Sequence, residues 1–469
     1  MRYEASRGGG VPAVRIPAME PGKPSRKSGP SGGGRALVIG AGMSGLLAAR
    51  VLSDGFSEVL ILDRDGLPDG PCDRRGVPQG RHLHTLAARG SELLEGFFPG
   101  LDDRLSDLGG PLLDQGRDLL TVFPEGRLPR FVSGITLRAV SRSLLEYEVR
   151  RRVEGLANVS FVERTEVTGL LHSGGRVYGV GSRLRDGPAV VRETESDLVV
   201  DASGNASRAP RWLQGLGYPP PAEEVVDARL GYATRWYKTP PGTFPKSIAV
   251  LPDWPENPRG GTLRTVEDGL MTAVLIGIGD VQPPSGSSAG EAFTEYAALL
   301  HSPAFHEAVE TAEPVSPVYG YRRTANRRRR YDRVRMPAGF VVAGDAACVL
   351  NPSYGQGVTL AAMSAEALQT SLAHDGPGFE RRFQRAQMRA VAPAWRATTT
   401  SDRQWAAKGL EDLGLLGRYL HRVSGEVVRS ATRNRKTARD LLAVKNLLSH
   451  PATLARPAVI VPAALRALG

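Results

Sequence analysis

The sequence predicts an α/β fold: a parallel sheet flanked by helices, an inserted antiparallel sheet, and a helical C-terminal region. Three observations carry this. An apolar run, Ala36-Leu37-Val38-Ile39, is followed by a helical pattern and a second apolar run from Val59 to Leu62. From Tyr218, strands rich in Thr, Val, Tyr and Trp alternate with Pro/Gly loops, the signature of an antiparallel sheet. After Gly357 the pattern is almost wholly helical.

The first unit carries the clearest motif. Gly40, Gly42 and Gly45 fill the three positions of GxGxxG between the first strand and its helix. Gly40 permits the tight turn, Gly42 lets a pyrophosphate approach the backbone, and Gly45 lets helix and strand pack closely. The helix N-terminus offers free N–H groups and a positive dipole to phosphates. Asp63 ends the second strand, 23 positions after Gly40, near the roughly 20 expected for an acid that binds ribose hydroxyls. Ser44 and Arg64 adjoin these anchors and complete this part of the candidate cofactor set. The unit reads as a Rossmann-like dinucleotide site, and by itself does not separate FAD from NAD.

The chain has 469 residues, 41% apolar and 23% charged, an ordinary globular balance. Its net charge of +11 is unevenly placed. Residues 1–34 are rich in Gly, Pro and Ser and read as a disordered tail without the apolar core of a signal peptide. The remaining positive excess suits anionic cofactors, and no nucleic-acid motif accompanies it. The run Arg327–Arg330 reads as a solvated segment leading into a strand. Cys72 and Cys348 are far apart with no CxxC, which fits a reducing cytoplasm and no disulfide framework. His82 and His84 form HxH without a nearby third ligand, so no metal site is expected. No apolar stretch reaches the length of a transmembrane helix, and the segment from Ala458, interrupted by Pro462, reads as a packed terminal helix.

The expected organisation is discontinuous. A dinucleotide-binding domain takes 35–110, 136–217 and 337–375. A substrate-binding sheet takes 111–135 and 218–336, and a helical region 376–469. A helix is expected from about His84 to Phe97 and another from Ser141 to about Val153.

The stretch Gly339–Leu368, GFVVAGDAACVLNPSYGQGVTLAAMSAEAL, narrows the cofactor. An apolar strand ends at Gly344-Asp345, and a loop with Pro352 leads to Gly355-Gln356-Gly357 and a long small-residue helix. This resembles the FAD-dependent monooxygenases of the para-hydroxybenzoate hydroxylase class. The resemblance implies that Asp345 bonds the ribityl chain and that Pro352 lies against the isoalloxazine. It also implies that Gly355, Gln356 and Gly357 stabilise negative charge on the flavin. It places Arg142, at the start of RSLLEYEVR, as a flavin contact, and Arg81, in GVPQGRHLH, near the ribose or pyrophosphate. Asp201-Ala202-Ser203-Gly204 occupies the place of the class's Asp-Gly motif in a departed form.

The class uses reduced FAD and O2 to form a C4a-hydroperoxide, so the resemblance assigns no catalytic side chain. Electrons come from NAD(P)H or from a separate flavin reductase, since no second GxGxxG is present. GVPQGRHLH, DASGNASR and NPSYGQGVT together resemble actinomycete epoxidases that act on linear polyenes in polyether antibiotic biosynthesis, the lasalocid and monensin type. This implies epoxidation of an apolar polyene or polyketide. The alternative is hydroxylation of an aromatic or polyketide substrate, and the distant alternative is a non-catalytic flavin-binding protein. Flavin halogenases share the fold but carry W-x-W-x-I-P and an early lysine. No tryptophan pair here has that spacing, and no lysine lies between Lys27 and Lys238. Tyr232, Trp236 and Tyr354 are the candidates for lining the substrate pocket.

Overall fold

The computed structural model describes residues 33–74, 76–239, 247–374, 377–407 and 409–467. All but the last two positions of the expected tail lie outside them. Five parallel strands form the first sheet, in the order Phe340–Val342, Leu198–Asp201, Arg35–Ile39, Glu58–Leu62, Val159–Val162. These strands are apolar on both faces because both faces are covered. Ala36 and Val38 pack into one core with the helices Met43–Leu52, Ala88–Phe97, Arg142–Glu154 and Gly357–Leu372. Leu37 and Ile39 pack into the opposite core, with Met388, Val391 and Trp395 of the long helix Phe379–Ala406. The helix-facing side chains alternate along the strand with the two-residue period of the pleat.

The second sheet has seven strands, in the order Tyr319–Tyr321, Gly231–Lys238, Leu270–Gly277, Arg259–Thr265, Ser247–Val250, Leu119–Phe123, Gly126–Arg127. Ala233, Leu275, Leu263, Ile248 and Val122 share one face and pack on Phe293 and Phe305 of two short helices. The opposite face carries Thr234, Trp236, Thr272, Arg264 and Ser247. It turns toward the first unit: His82 Nδ1 lies 2.8 Å from Thr234 Oγ1, and the Trp236 indole N–H donates to the Arg81 carbonyl at 2.9 Å.

Local expectations change in two places. The helix expected from about His84 begins at Ala88, because Thr85–Leu86 pairs first with Arg138 and Ala139. Tertiary pairing overrides the apolar period there. The run Arg327–Arg330 does lead through a strand, and its charge is matched rather than merely solvated. Arg327 and Arg329 pair with Glu223, and Arg328 and Arg330 with Glu224, across the strand pair Glu223–Val226 and Asn326–Arg329. Cys348–Val349 extends that small sheet, so these strands lie against the Asp345 loop rather than in the seven-stranded sheet. The helices Leu415–Arg433, Arg435–Lys445 and Pro457–Arg466 follow. No helix among the described residues is long and apolar enough to cross a membrane.

Candidate functional site

All the motif residues gather at the carboxyl edge of the parallel sheet, where open α/β sheets bind ligands. Gly40 ends the first strand with φ +99°, a conformation favouring glycine. A Cβ on Gly45 would collide with the Gly40 carbonyl, while one on Gly42 would meet only Arg74 Nη2, 3.9 Å away. One glycine is therefore needed for packing, and the other leaves open space beside the helix N-terminus. That helix, Met43–Leu52, has no side-chain cap, and its free first-turn N–H groups suit a pyrophosphate.

The second motif meets the first directly. A Cβ on Gly344 would collide with the Ser44 hydroxyl, and Gly344 itself adopts φ +59°. Its N–H is held by Gln387 Oε1 at 2.9 Å and Ser364 Oγ at 3.2 Å. The half-buried Asp345 carboxylate accepts no hydrogen bond from any described residue. Burial raises its pKa to about 6, with the Arg142 charge pulling the other way. Arg142 pairs with Glu146 at 2.6 Å, yet its Nη1 is buried without a partner. The 351–357 loop turns through Gly355 at φ +67°, and the helix Gly357–Leu372 also begins without a side-chain cap. Gln356 Oε1 and Thr359 Oγ1 are likewise buried and unpartnered. Unmet donors and acceptors, open backbone and two uncapped helix N-termini along one edge fit a long, polar, anionic cofactor such as FAD.

Several candidates occupy places that sequence reasoning did not anticipate. Asp63 is buried and accepts from the Ala41 N–H at 2.6 Å and from Asp65 N–H at 2.8 Å. Arg64 is exposed. Arg81 is exposed as well, 3.6 Å from Asp73 and over the Tyr319 ring. The cation beside the glycine turn is instead Arg74. It contacts the Ala41 carbonyl at 3.0 Å, Glu146 at 2.6 Å and Asp63 at 3.3 Å. Burial opposes its charge, but Glu146 and then Asp63 outweigh this and raise its pKa. One arginine in a Gly/Pro-rich loop carries no periodic signal, so nothing in the sequence marked it.

Tyr232 is buried, stacked on Tyr321 at 5.2 Å between ring centres and edge-on to His82 at 4.7 Å. Burial and the Arg81 charge pull His82 down to about 4. Burial, the Arg142 charge and His82 pull His84 down to about 3 against its bond to the Gln79 carbonyl. Both rings are therefore neutral packing groups at neutral pH. Pro352 begins the turn 352–354, and Tyr354, at its end, donates its hydroxyl to Asp402 at 2.7 Å. Asp402 also accepts from Asn351 at 3.1 Å and Asn326 at 2.5 Å. This cluster, buried at Asp402, Asn351 and Asn326, ties the 351–357 loop to the long helix. An aspartate in a polar helix reads as solvated, which concealed it.

Comparison with known proteins agrees with this geometry. Protein Rv3254 of Mycobacterium tuberculosis (strain ATCC 25618 / H37Rv) is 35% identical over 388 residues, covering 78% of this chain and 80% of that one. The flavin-dependent brominase Bmp2 superposes with a TM-score of 0.62 at 14% identity, covering 93% of this chain and 99% of its own. The tetrameric form of 2-methyl-3-hydroxypyridine-5-carboxylic acid oxygenase gives 0.56 at 19% identity, covering 81% and 93%. The two structures share the fold. The sequence profile described as FAD dependent oxidoreductase matches residues 82–370, more than half of the chain, and the chain therefore belongs to the FAD-dependent oxidoreductase family and depends on FAD.

Proposed function

We propose that this enzyme is a monooxygenase that epoxidises alkenes of an apolar linear polyene or polyketide, of the kind matured into polyethers. FAD, bound along the Gly40–Asp345 edge, supplies the oxygen-activating chemistry. The reaction consumes the alkene, O2, two electrons and two protons, and gives epoxide and water. NAD(P)H or a separate reductase delivers the electrons.

The chain's own residues hold and enclose. The glycine turn, Ser44 and Asp63 take the adenosine diphosphate half with Arg74 beside them, Arg81 reaches toward its ribose or pyrophosphate, and Arg142 contacts the flavin. Asp345, Pro352 and Gly355 to Gly357 take the flavin half. Tyr232, Trp236 and Tyr354 border the space between the loop and the seven-stranded sheet.

One observation favours epoxidation over phenol hydroxylation. Removing a phenol proton near neutral pH calls for a matched base, whereas alkene epoxidation calls for none. His82 and His84 are held down at about 4 and about 3 by burial. Burial also pushes the phenols of Tyr232, Tyr321 and Tyr354 above their usual range. None of these five is poised as that base; of the groups brought nearer neutrality, Asp345 at about 6 is given to the ribityl chain and Lys445 at about 8 stands over the Phe123 ring.

The test is single-turnover oxidation by FAD-loaded, chemically reduced protein in air. It is run on geraniol as alkene and on a simple phenol, with bromide added in a third arm. A mass gain of one oxygen on geraniol, with the phenol unchanged, supports the proposal. Turnover of the phenol alone would establish the hydroxylase, and bromination would place the chain with the brominase.

A further inference from the structure

We infer that Lys445 and Arg264 form an anion-binding subsite at one end of the substrate space, and that the substrate is an apolar chain ending in a carboxylate. The substrate assignment rests on the monooxygenase reading; the anion subsite stands on geometry.

Among the described residues five arginines are buried: Arg138, Arg142, Arg150, Arg264 and Arg329. Four of them have a carboxylate: Asp102, Glu146, Glu154 and Glu223 respectively. Arg264 has none among the described residues. Its Nη1 donates to the Ser247 hydroxyl and to the Leu263 carbonyl at 3.2 Å, both neutral, and its Nε is buried without a partner. A buried charge of this kind is costly unless something neutralises it.

Arg264 belongs to the sheet face that turns away from the helix-packed core, in register with Thr272 and Ser247. Thr272 Oγ1 is also buried and unpartnered. Lys445 approaches from the last turn of the helix Arg435–Lys445. It too has no ion pair among the described residues, and its ammonium lies 5.3 Å from the centre of the Phe123 ring. Its side chain keeps open surface, yet burial and then the Arg264 charge pull its pKa down to about 8. Gln356 joins this pair to the cofactor loop: its Nε2 reaches the Lys445 carbonyl at 3.5 Å, while its Oε1 is an orphan.

Ser247 pairs with both Arg264 and Leu119, so Arg264 and Phe123 share a sheet face, and two cations from separate elements come to that face without an acid, beside unmet neutral groups. A carboxylate would offset one of the two charges and satisfy Arg264 Nε, with its apolar chain running along the Trp236 side of the sheet. Two charge-assisted contacts of this type favour the acid over its alcohol by about ten-fold or more.

The experiment is calorimetric titration of the full-length protein with geranate and with geraniol, with FAD content measured separately by absorbance. The wild type is expected to bind geranate about ten-fold more tightly or better, and Lys445→Met and Arg264→Gln to bring the two affinities together. Equal affinities in the wild type, or an undiminished preference in folded Lys445→Met, would overturn the subsite. Protein that lacks FAD but still prefers geranate would sink the monooxygenase reading while leaving the subsite standing.

Discussion

His82 pins the loop of the dinucleotide unit to the seven-stranded sheet, and acid should loosen that pin. Its ring is 4% exposed, is bonded to Thr234 and touches Tyr232 and Tyr321. Burial, and then the Arg81 charge, lower its pKa from 6.5 to about 4. A histidine depressed on folding contributes stability that is present above the unfolded value and is lost as pH falls toward the folded one. Between pH ~7.5 and ~4.5 the linkage relation gives a loss of about 2.5 kcal/mol from this group alone. The assay is urea unfolding of wild type and His82→Gln at both pH values. Other titrating groups, His84 and Asp345 among them, are common to both proteins and largely cancel in the difference. The wild type should lose about 2.5 kcal/mol more than the variant. Equal losses would refute the account of His82 as a buried neutral pin.

Asp402→Ala leaves the Tyr354 hydroxyl and the buried Asn351 amide without their acceptor, while the Asn326 amide keeps the Val226 carbonyl at 3.2 Å. At about 1–3 kcal/mol per unmet buried group, urea unfolding should show a loss of about 2 kcal/mol, and FAD retention on gel filtration should fall with it. Gly344→Val meets both a positive φ and the Ser44 hydroxyl, so its thermal midpoint should fall and FAD uptake should be lost. Arg74→Met leaves Asp63, Asp65 and Glu146 without their shared cation. Glu146 keeps Arg142 and Asp65 keeps Arg185, but Asp63 loses its ion pair, so the urea unfolding midpoint should fall below that of the wild type.

The parallel sheet was legible because its strands are short apolar runs that end on glycine or acid, and the two glycine motifs mark the edge where they converge. The motif alone does not show that Ser44 packs on Gly344 some 300 positions away. What escaped the sequence depends on pairing between distant residues. The strand Thr85–Leu86 exists because Ala139 and Arg138 lie beside it. Arg74 and Asp402 are ordinary polar residues in ordinary contexts, and only their partners give them a role. Arg264 stands out for the opposite reason: burial without an acid is invisible until the neighbours are known. Trp236, a candidate for the pocket wall, donates its indole N–H to the Arg81 carbonyl and so holds that loop to the seven-stranded sheet.

The measurement that bears most directly on the central claim is FAD uptake by the full-length protein, read as bound flavin per chain after gel filtration. The account predicts one FAD per chain in the wild type. It predicts none in Gly45→Val, which would disrupt the first glycine turn, and a severe loss in Asp345→Leu, at the other end of the cofactor. A wild-type protein that takes up no FAD, or an Asp345→Leu protein that holds it undiminished, would contradict a single cofactor site spanning the two motifs.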